Sequence, residues 1–569
     1  MRRPCWFFLA CAPLLFAARG AAADDAVALP PFIVEEATKG PPWRYAETPG
    51  YEILARCNDA ATRRIVATHQ RLHHLLAEML PPSLQLQCSL PRTLILYDEE
   101  LQPAASREVI ARMLRPNGIE PVEDFSPAPS FRGMRVAPSP ARRLSFLPNL
   151  RLWDRDAMAV FMIVRRDDFD AERLALTPDY ISFLVKGRVP ALPTWFASGL
   201  LSLYAQTSFE SDHLKLEPLS WISETHPDAV KKDPKAAPPV QPLEEFLANR
   251  FAAPTEPPTF DPLKAWQAQA ALFVRWGLDA DAGAHRAALW KFVERTAGLA
   301  ATEAVFTECF GEDFAAVHAR LTAYLPTAVR RTVNFRPAKL PKPAPLVLRN
   351  ATDGEIARLK GDWERLEVPF VKNISPDLAP KYLAQARRTL RRAYDRDDRD
   401  PRLLAVMGLC EVDAGNPAAA RELLEAAARL GPIRPRANYE LARLRFAEFR
   451  AQPAGGDDRL SVTQASDVLG PLFAARAQQP PLPEVYTLIG EVWLHVAAKP
   501  TRGHLAVLDE SVRLFPRRTD LALRTGELYL REGFRAEADN FLAIAAHTTS
   551  DDPTRERIAR LQAQLQSSR

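Results

Sequence analysis

An α+β domain followed by an all-α repeat solenoid is the fold class this sequence predicts, and three observations predict it. Between residues 43 and 325, short runs of branched or large apolar residues precede and interleave with helical runs. After residue 350 every segment has helical spacing, and a pattern of glycines and alanines recurs there at fixed offsets. At 569 residues the chain is too long for a single hydrophobic core. Its 74 Lys plus Arg nearly balance 70 Asp plus Glu, so charge draws it neither to nucleic acid nor to an anionic membrane. The 51 Pro mark many helix boundaries and stiff linkers. Only 23 Gly are present, and neither a Walker loop nor a dinucleotide fingerprint occurs.

Taken in order, residues 1–23 read MRRPCWFFLACAPLLFAARGAAA: two arginines, an apolar core, then Ala21, Ala22 and Ala23. This is a signal-peptide pattern, predicting cleavage near Ala23 and a protein exported to the periplasm or exterior. The apolar run is well short of the about 20 residues a membrane-spanning helix needs, and no later segment reaches that length, so no transmembrane segment is expected. Residues 24–42 read as a flexible N-terminal segment. YEILARC, RTLILYD and AMAVFMIV read as strands, and DAATRRIVATHQRLHHLLAEML as an amphipathic helix behind an Asp59 cap. VKKDPKAAPPVQP reads as a solvated loop, ahead of an all-helical run from Asp261 to Leu325. Residues 326–350, rich in Pro, Lys and Arg, read as an extended interdomain linker. Of six cysteines, Cys5 and Cys11 leave with the signal. Cys57 and Cys88 flank strands that can neighbour one another, making them a candidate disulfide in an oxidising compartment, while Cys309 and Cys410 read as buried small hydrophobes. The absence of any CxxC argues against a cysteine-type zinc site.

Residues 351–569 carry the repeats. Gly408 and Gly526 are each followed at the same distance by Gly415 and Gly533. Ala420 and Ala427 then stand at the offsets that Ala538 and Ala545 repeat, and Pro432 closes the unit. Gly490 in PEVYTLIGEVW marks another copy, and PRANYELARLRF a further one, enlarged by AQPAGGDDRLSV. Small residues at these offsets suit two antiparallel helices at their crossing, and the pattern resembles the tetratricopeptide (TPR) repeat. About four repeats are expected, with KYLAQARRTLRRAY as the second helix of a further partial unit.

The phrase LPTWFASGLLSLY, with Pro193, Trp195, Phe196, Gly199 and Leu200, together with AWQAQAALFVRWGL and ECFGEDFAAVHARLTAYL, makes residues 43–325 resemble secreted peptidase-like domains of the gluzincin type, which have a zincin fold. The resemblance implies a zincin-like α+β domain in which AMAVFMIV, with Val160, Phe161, Met162, Ile163 and Val164, is an edge strand able to pair with an extended peptide. An active member needs HExxH on one helix and Glu before Gly-Leu on the next, because an i, i+4 pair sets two imidazoles on one face. Here Pro178 and Ser182 fall at the histidine positions, Asp179 at the general base and Ser198 at the third ligand. Proline cannot bind a metal, and neutral hydroxyls are poor substitutes for imidazole or carboxylate. None of the ten histidines forms HExxH. His69 and His73 in HQRLH have ligand spacing without the base and read as a polar helix face, and nothing in the spacing of His213 or His226 compels them towards the cleft. Ser198 in ASG lacks the GxSxG elbow, and Ser182 with Asp179 lacks a histidine partner. Trp195 and Phe196 read as core anchors. The expectation is a catalytically degenerate peptidase fold without a cofactor, binding a protein or extended peptide through its cleft and its repeats. The alternative is a peptidase with an unorthodox metal site.

Overall fold

The computed structural model describes residues 40–48, 50–81, 92–98, 149–164, 181–182, 185, 187–221, 239–250, 261–298, 300–374, 376–455, 457–549 and 551–567. The expected signal peptide, Cys88, Pro178, Asp179 and His226 lie outside the described residues.

The α+β half is built on a sheet of six strands in the order β4-β5-β3-β2-β1-β9. β2 (Tyr51–Arg56), β3 (Arg92–Asp98) and β5 (Met158–Val164) run parallel. β1 (Arg44–Thr48) forms an antiparallel hairpin with β2, and β9 (Arg349–Asn350) adds antiparallel to β1. β4 (Asn149–Trp153) pairs antiparallel with β5 on the other side. AMAVFMIV is therefore not the edge strand expected: β5 is interior, and β4 takes the edge. The hairpin is tight, with the Asp154 amide donating to Ala157 O at 2.7 Å, so NLRLW is folded back alongside its successor.

Both faces of the sheet are covered, as parallel strands require. Ile53, Leu94, Leu96, Val160 and Met162 face a core shared with α1 (Asp59–Leu76), which Asn58 caps by accepting from Ala60 N. The same core takes in α2 (Thr194–Tyr204), α3 (Leu243–Leu247), α4 (Pro262–Asp279), α5 (Arg286–Gly298), α6 (Glu303–Phe310) and α7 (Phe314–Ala328). The opposite face, with Leu54, Ile95, Tyr97 and Phe161, packs against Leu359, Trp363 and Leu366 of α8 (Asp353–Ile374). α8 is the first helix of the solenoid, so one hydrophobic cluster crosses the boundary drawn at residue 350. The expected linker is extended but tied down, by β8 (Val333–Phe335) in a small sheet with β6 (Thr207–Phe209) and β7 (Leu214–Leu216), and by β9. Cys57 carries a free, buried thiol 3.2 Å from the Thr62 hydroxyl; Cys88, its partner in the candidate disulfide, lies outside the described residues.

The C-terminal half is a solenoid of stacked helical hairpins, five of them among the described residues. They are α8 with α9 (Ala379–Tyr394), α10 (Pro401–Asp413) with α11 (Pro417–Leu430), α12 (Pro435–Ala451) with α13 (Val462–Arg476), α14 (Pro483–His495) with α15 (Arg502–Leu514), and α16 (Thr519–Arg531) with α17 (Arg535–Thr548). α18 (Asp552–Ser567) packs against α17. KYLAQARRTLRRAY is thus half of a complete hairpin. A Cβ on Gly408 would stand 2.6 Å from Leu424, and one on Gly526 2.9 Å from Leu542, so glycine lets each pair approach. Ala420, Ala427, Ala538 and Ala545 are fully buried at the same crossings. Gly415 and Gly533 take positive φ in the turns between helices, and exposed Pro432 follows the end of α11. A Cβ on Gly490 would instead stand 3.0 Å from the Arg524 side chain of the next hairpin.

Candidate binding cleft

The phrase around Trp195 sits where two helices touch. Pro193 precedes α2, Trp195 and Phe196 are buried, and Trp195 stacks on Phe292 with centroids 5.4 Å apart. A Cβ on Gly199 would fall 2.4 Å from Ala270 O, so this glycine sets how closely α2 and α4 cross. Ser198 is half-buried on α2, and Ser182 reaches the cleft described below, which Ser198 does not line. Among the described residues no three His, Cys, Asp or Glu side chains are grouped to hold a metal ion. His213 turns to Asp212, 2.7 Å away, next to the β6–β7 hairpin.

His69 and His73 are half-buried on α1, against Tyr51. Their rings meet edge-on at 4.5 Å, and the Tyr51 hydroxyl lies 2.5 Å from His69 Nε2. Burial lowers the His69 ring to about 3, with Arg92 and Arg151 adding to the effect, and lowers His73 well below the usual imidazole value. Both are therefore neutral at physiological pH.

The solenoid grips the α+β half along one edge, at the starts of successive helices. Arg402, one residue into α10, lies 3.4 Å from Glu52, which also bonds Arg358 of α8. At α12, Arg434 bonds Asp156 at 3.0 Å and Asp362 at 3.0 Å, while the Arg436 amide donates to Asp156 at 2.8 Å and its guanidinium pairs with Asp154. Arg365 of α8 completes this cluster, donating to Asp154, Asp362 and Asp413 at 2.8, 2.8 and 2.9 Å. Asp156 is fully buried and Arg365 is 1% exposed. Burial alone would raise the Asp154 carboxyl, but Arg365, Arg434 and Arg436 hold it far below the usual carboxylate range. Asp362 is lowered in the same way by Arg365 and Arg434.

Beside this cluster the two halves enclose a cleft of about 620 Å³. Its floor carries Ser182, Gly187, Ala191 and Trp153 of β4, and Trp153 is 58% exposed. Its roof is Pro480 to Leu482 with the first two residues of α14, Pro483 and Glu484, and the segment Leu514 to Arg518 before α16. Arg155 ties floor to roof, 3.4 Å from Glu484. Arg517 does so again, donating to Leu192 O at 3.2 Å and Thr296 O at 2.9 Å. Sequence reasoning missed Trp153, Asp154, Asp156, Arg434 and the two roof segments. The available signal was DRD between two apolar runs, a charged turn whose aspartates are buried only because the solenoid returns to them.

No family model matches the chain, and no curated protein matches it. Among solved structures, MamA aligns at 17% identity over 32% of this chain and 93% of its own, with a TM-score of 0.24. Pseudomonas aeruginosa pilF aligns at 16% over 37% and 84%, with a TM-score of 0.27. TTC0263, described as a thermophilic TPR protein of Thermus thermophilus, aligns at 19% over 34% and 99%, with a TM-score of 0.24.

Proposed function

We propose that this protein is an exported, non-catalytic scaffold that holds an extended peptide, alone or as part of a partner protein, in the cleft between its α+β half and its solenoid. One observation carries the reading: a 620 Å³ cleft has a floor from one half, a roof from the other, and a buried ionic cluster beside it that fixes the two together. No described strand pairs with the outer side of β4, and Trp153 at its end opens into the cleft, so an extended chain adding to that edge runs under the roof. A gluzincin-type origin is supported by the Pro193 to Gly199 phrase, and Ser182 and Ser198 at ligand positions favour binding over hydrolysis. Export is supported by the leader pattern of residues 1–23. No described helix is long and apolar enough to cross a membrane.

The test is retention of terminally capped, randomised nine-residue peptides on the immobilised full chain. Filling the cleft with Ala191→Trp, at an exposed position on its floor, is expected to weaken retention by about tenfold or more, from lost space alone. Unchanged retention by that variant would show that peptides bind elsewhere.

A further inference from the structure

We propose that the cleft selects a peptide carrying an acidic side chain among apolar neighbours, and that Arg517 is the residue that reads it. This rests on the peptide-binding reading above and adds the chemistry of the ligand.

Four arginines line the cleft, and three are already matched to carboxylates. Arg155 lies 3.4 Å from Glu484, Arg188 bonds Glu294 at 2.6 Å, and Arg518 forms a two-pronged pair with Asp520 at 2.8 and 2.7 Å. Arg517 differs. Its two terminal nitrogens donate to the backbone carbonyls Leu192 O and Thr296 O, and among the described residues no carboxylate pairs with it. Partial burial lowers its hold on its proton, and no described anion acts in the opposite direction.

A guanidinium has five N–H donors, and two carbonyls cannot neutralise its charge. They do fix its plane, so the orientational cost of binding an anion is already met. The same cleft is lined by Pro481, Leu482, Phe515, Pro516 and Trp153, so the ligand residues flanking the anion are apolar. An inorganic anion would leave those walls wetted. A carboxylate within an extended apolar segment satisfies both the charge and the walls, and the free edge of β4 supplies backbone pairing for such a segment.

Two pools of nine-residue peptides, acetylated and amidated, with Glu or Gln at the centre and apolar or threonine residues elsewhere, separate the outcomes. On the full chain the Glu pool is expected to be retained about tenfold better than the Gln pool, the scale of one charge-assisted hydrogen bond. That ratio should fall to near one in Arg517→Ala, persist in part in Arg517→Lys, and survive in Arg518→Ala. Because Arg517→Ala also removes two ties between the halves, its melting temperature and circular dichroism are measured alongside, and the conservative Arg517→Lys variant carries the assignment if Arg517→Ala unfolds. Equal retention of both pools, with both lost in Ala191→Trp, would overturn the acidic reading and leave the cleft standing. Retention of neither pool, or retention indifferent to Ala191→Trp, overturns the cleft itself. Retention confined to peptides with a free C-terminal carboxylate overturns the assignment to a side chain.

Discussion

Asp156 is fully buried against Arg434 and the Arg436 amide, and this arrangement makes a single side chain decisive. Removing one partner of a buried ion pair strands the other charge in a poor solvent, which typically costs about 3–5 kcal/mol. Asp156→Ala is therefore expected to lower unfolding free energy by about 3 kcal/mol in a denaturant titration. A change under about 1 kcal/mol would mean that water already screens the cluster. His69 and His73 give a pH signature. Their folded pKa values lie below the unfolded value of about 6.5, so as pH falls the unfolded chain takes up protons the folded one refuses. Stability contributed by their neutral state is complete above about pH 6.5 and declines below it by about 1.4 kcal/mol per pH unit per ring. Asp154 and Asp362 add a loss only below about pH 4, since their folded pKa values are depressed beneath the unfolded carboxylate value. His69→Asn should remove about one proton from the slope of stability between pH 6 and 4.5. An unaltered slope would place the titrating groups elsewhere.

At the scale of elements, the two glycine contacts differ in what opposes them. On α2, a Cβ at Gly199 meets a backbone carbonyl of α4 at 2.4 Å, which cannot swing aside, whereas at Gly408 the nearest atoms belong to the Leu424 side chain and the backbone carbonyl of Ala420 is 3.3 Å away. Alanine gains about 1 kcal/mol of helix propensity in either place. Against an overpacking cost of up to about 3 kcal/mol at the rigid site, Gly199→Ala should destabilise by about 2 kcal/mol, and Gly408→Ala should stay within about 1. Thermal or denaturant melts of the two variants check the order, and a larger loss at Gly408 would contradict it. Helices and strands of this kind were legible wherever their signal is local. YEILARC, RTLILYD and AMAVFMIV hold their own apolar runs, α1 its period, and the repeats their glycine and alanine offsets; the cap of α1 is Asn58, one residue before the expected Asp59, which instead opens the helix. Which strand lies at the edge is not local: β5 carries the stronger β pattern, yet β4 takes the outside because a tight turn folds it there. Trp195 and Phe196 were visible because large packing residues declare themselves by size, and Gly199 came with the phrase that resembles the peptidase-like domains. The ionic cluster was not, because Asp154 stands 211 residues from Arg365 and 282 from Arg436, and each reads alone as an ordinary surface charge.

For the whole molecule, the sheet's second face belongs to the solenoid. Ending the chain at residue 350 would expose Tyr45, Leu54, Ile95, Tyr97 and Phe161, now covered by Leu359, Trp363 and Leu366. A fragment of residues 24–350 is expected to aggregate or bind a hydrophobic dye, whereas a fragment of residues 24–394, which keeps the first hairpin, should stay monomeric by gel filtration. A soluble, cooperatively melting 24–350 fragment would refute this dependence. The separation of the ionic partners along the chain has a further consequence, one of timing. The ribosome completes the β4–β5 turn long before it makes the arginines that neutralise it, and at about 5–20 residues per second the 211 residues to Arg365 take on the order of 10–40 seconds. During that interval the turn carries two aspartates whose final place is a dry interface, and it must remain in water. The pairing that fastens the halves together can therefore form only once Arg365 has been made, and until then the turn's two aspartates are solvated.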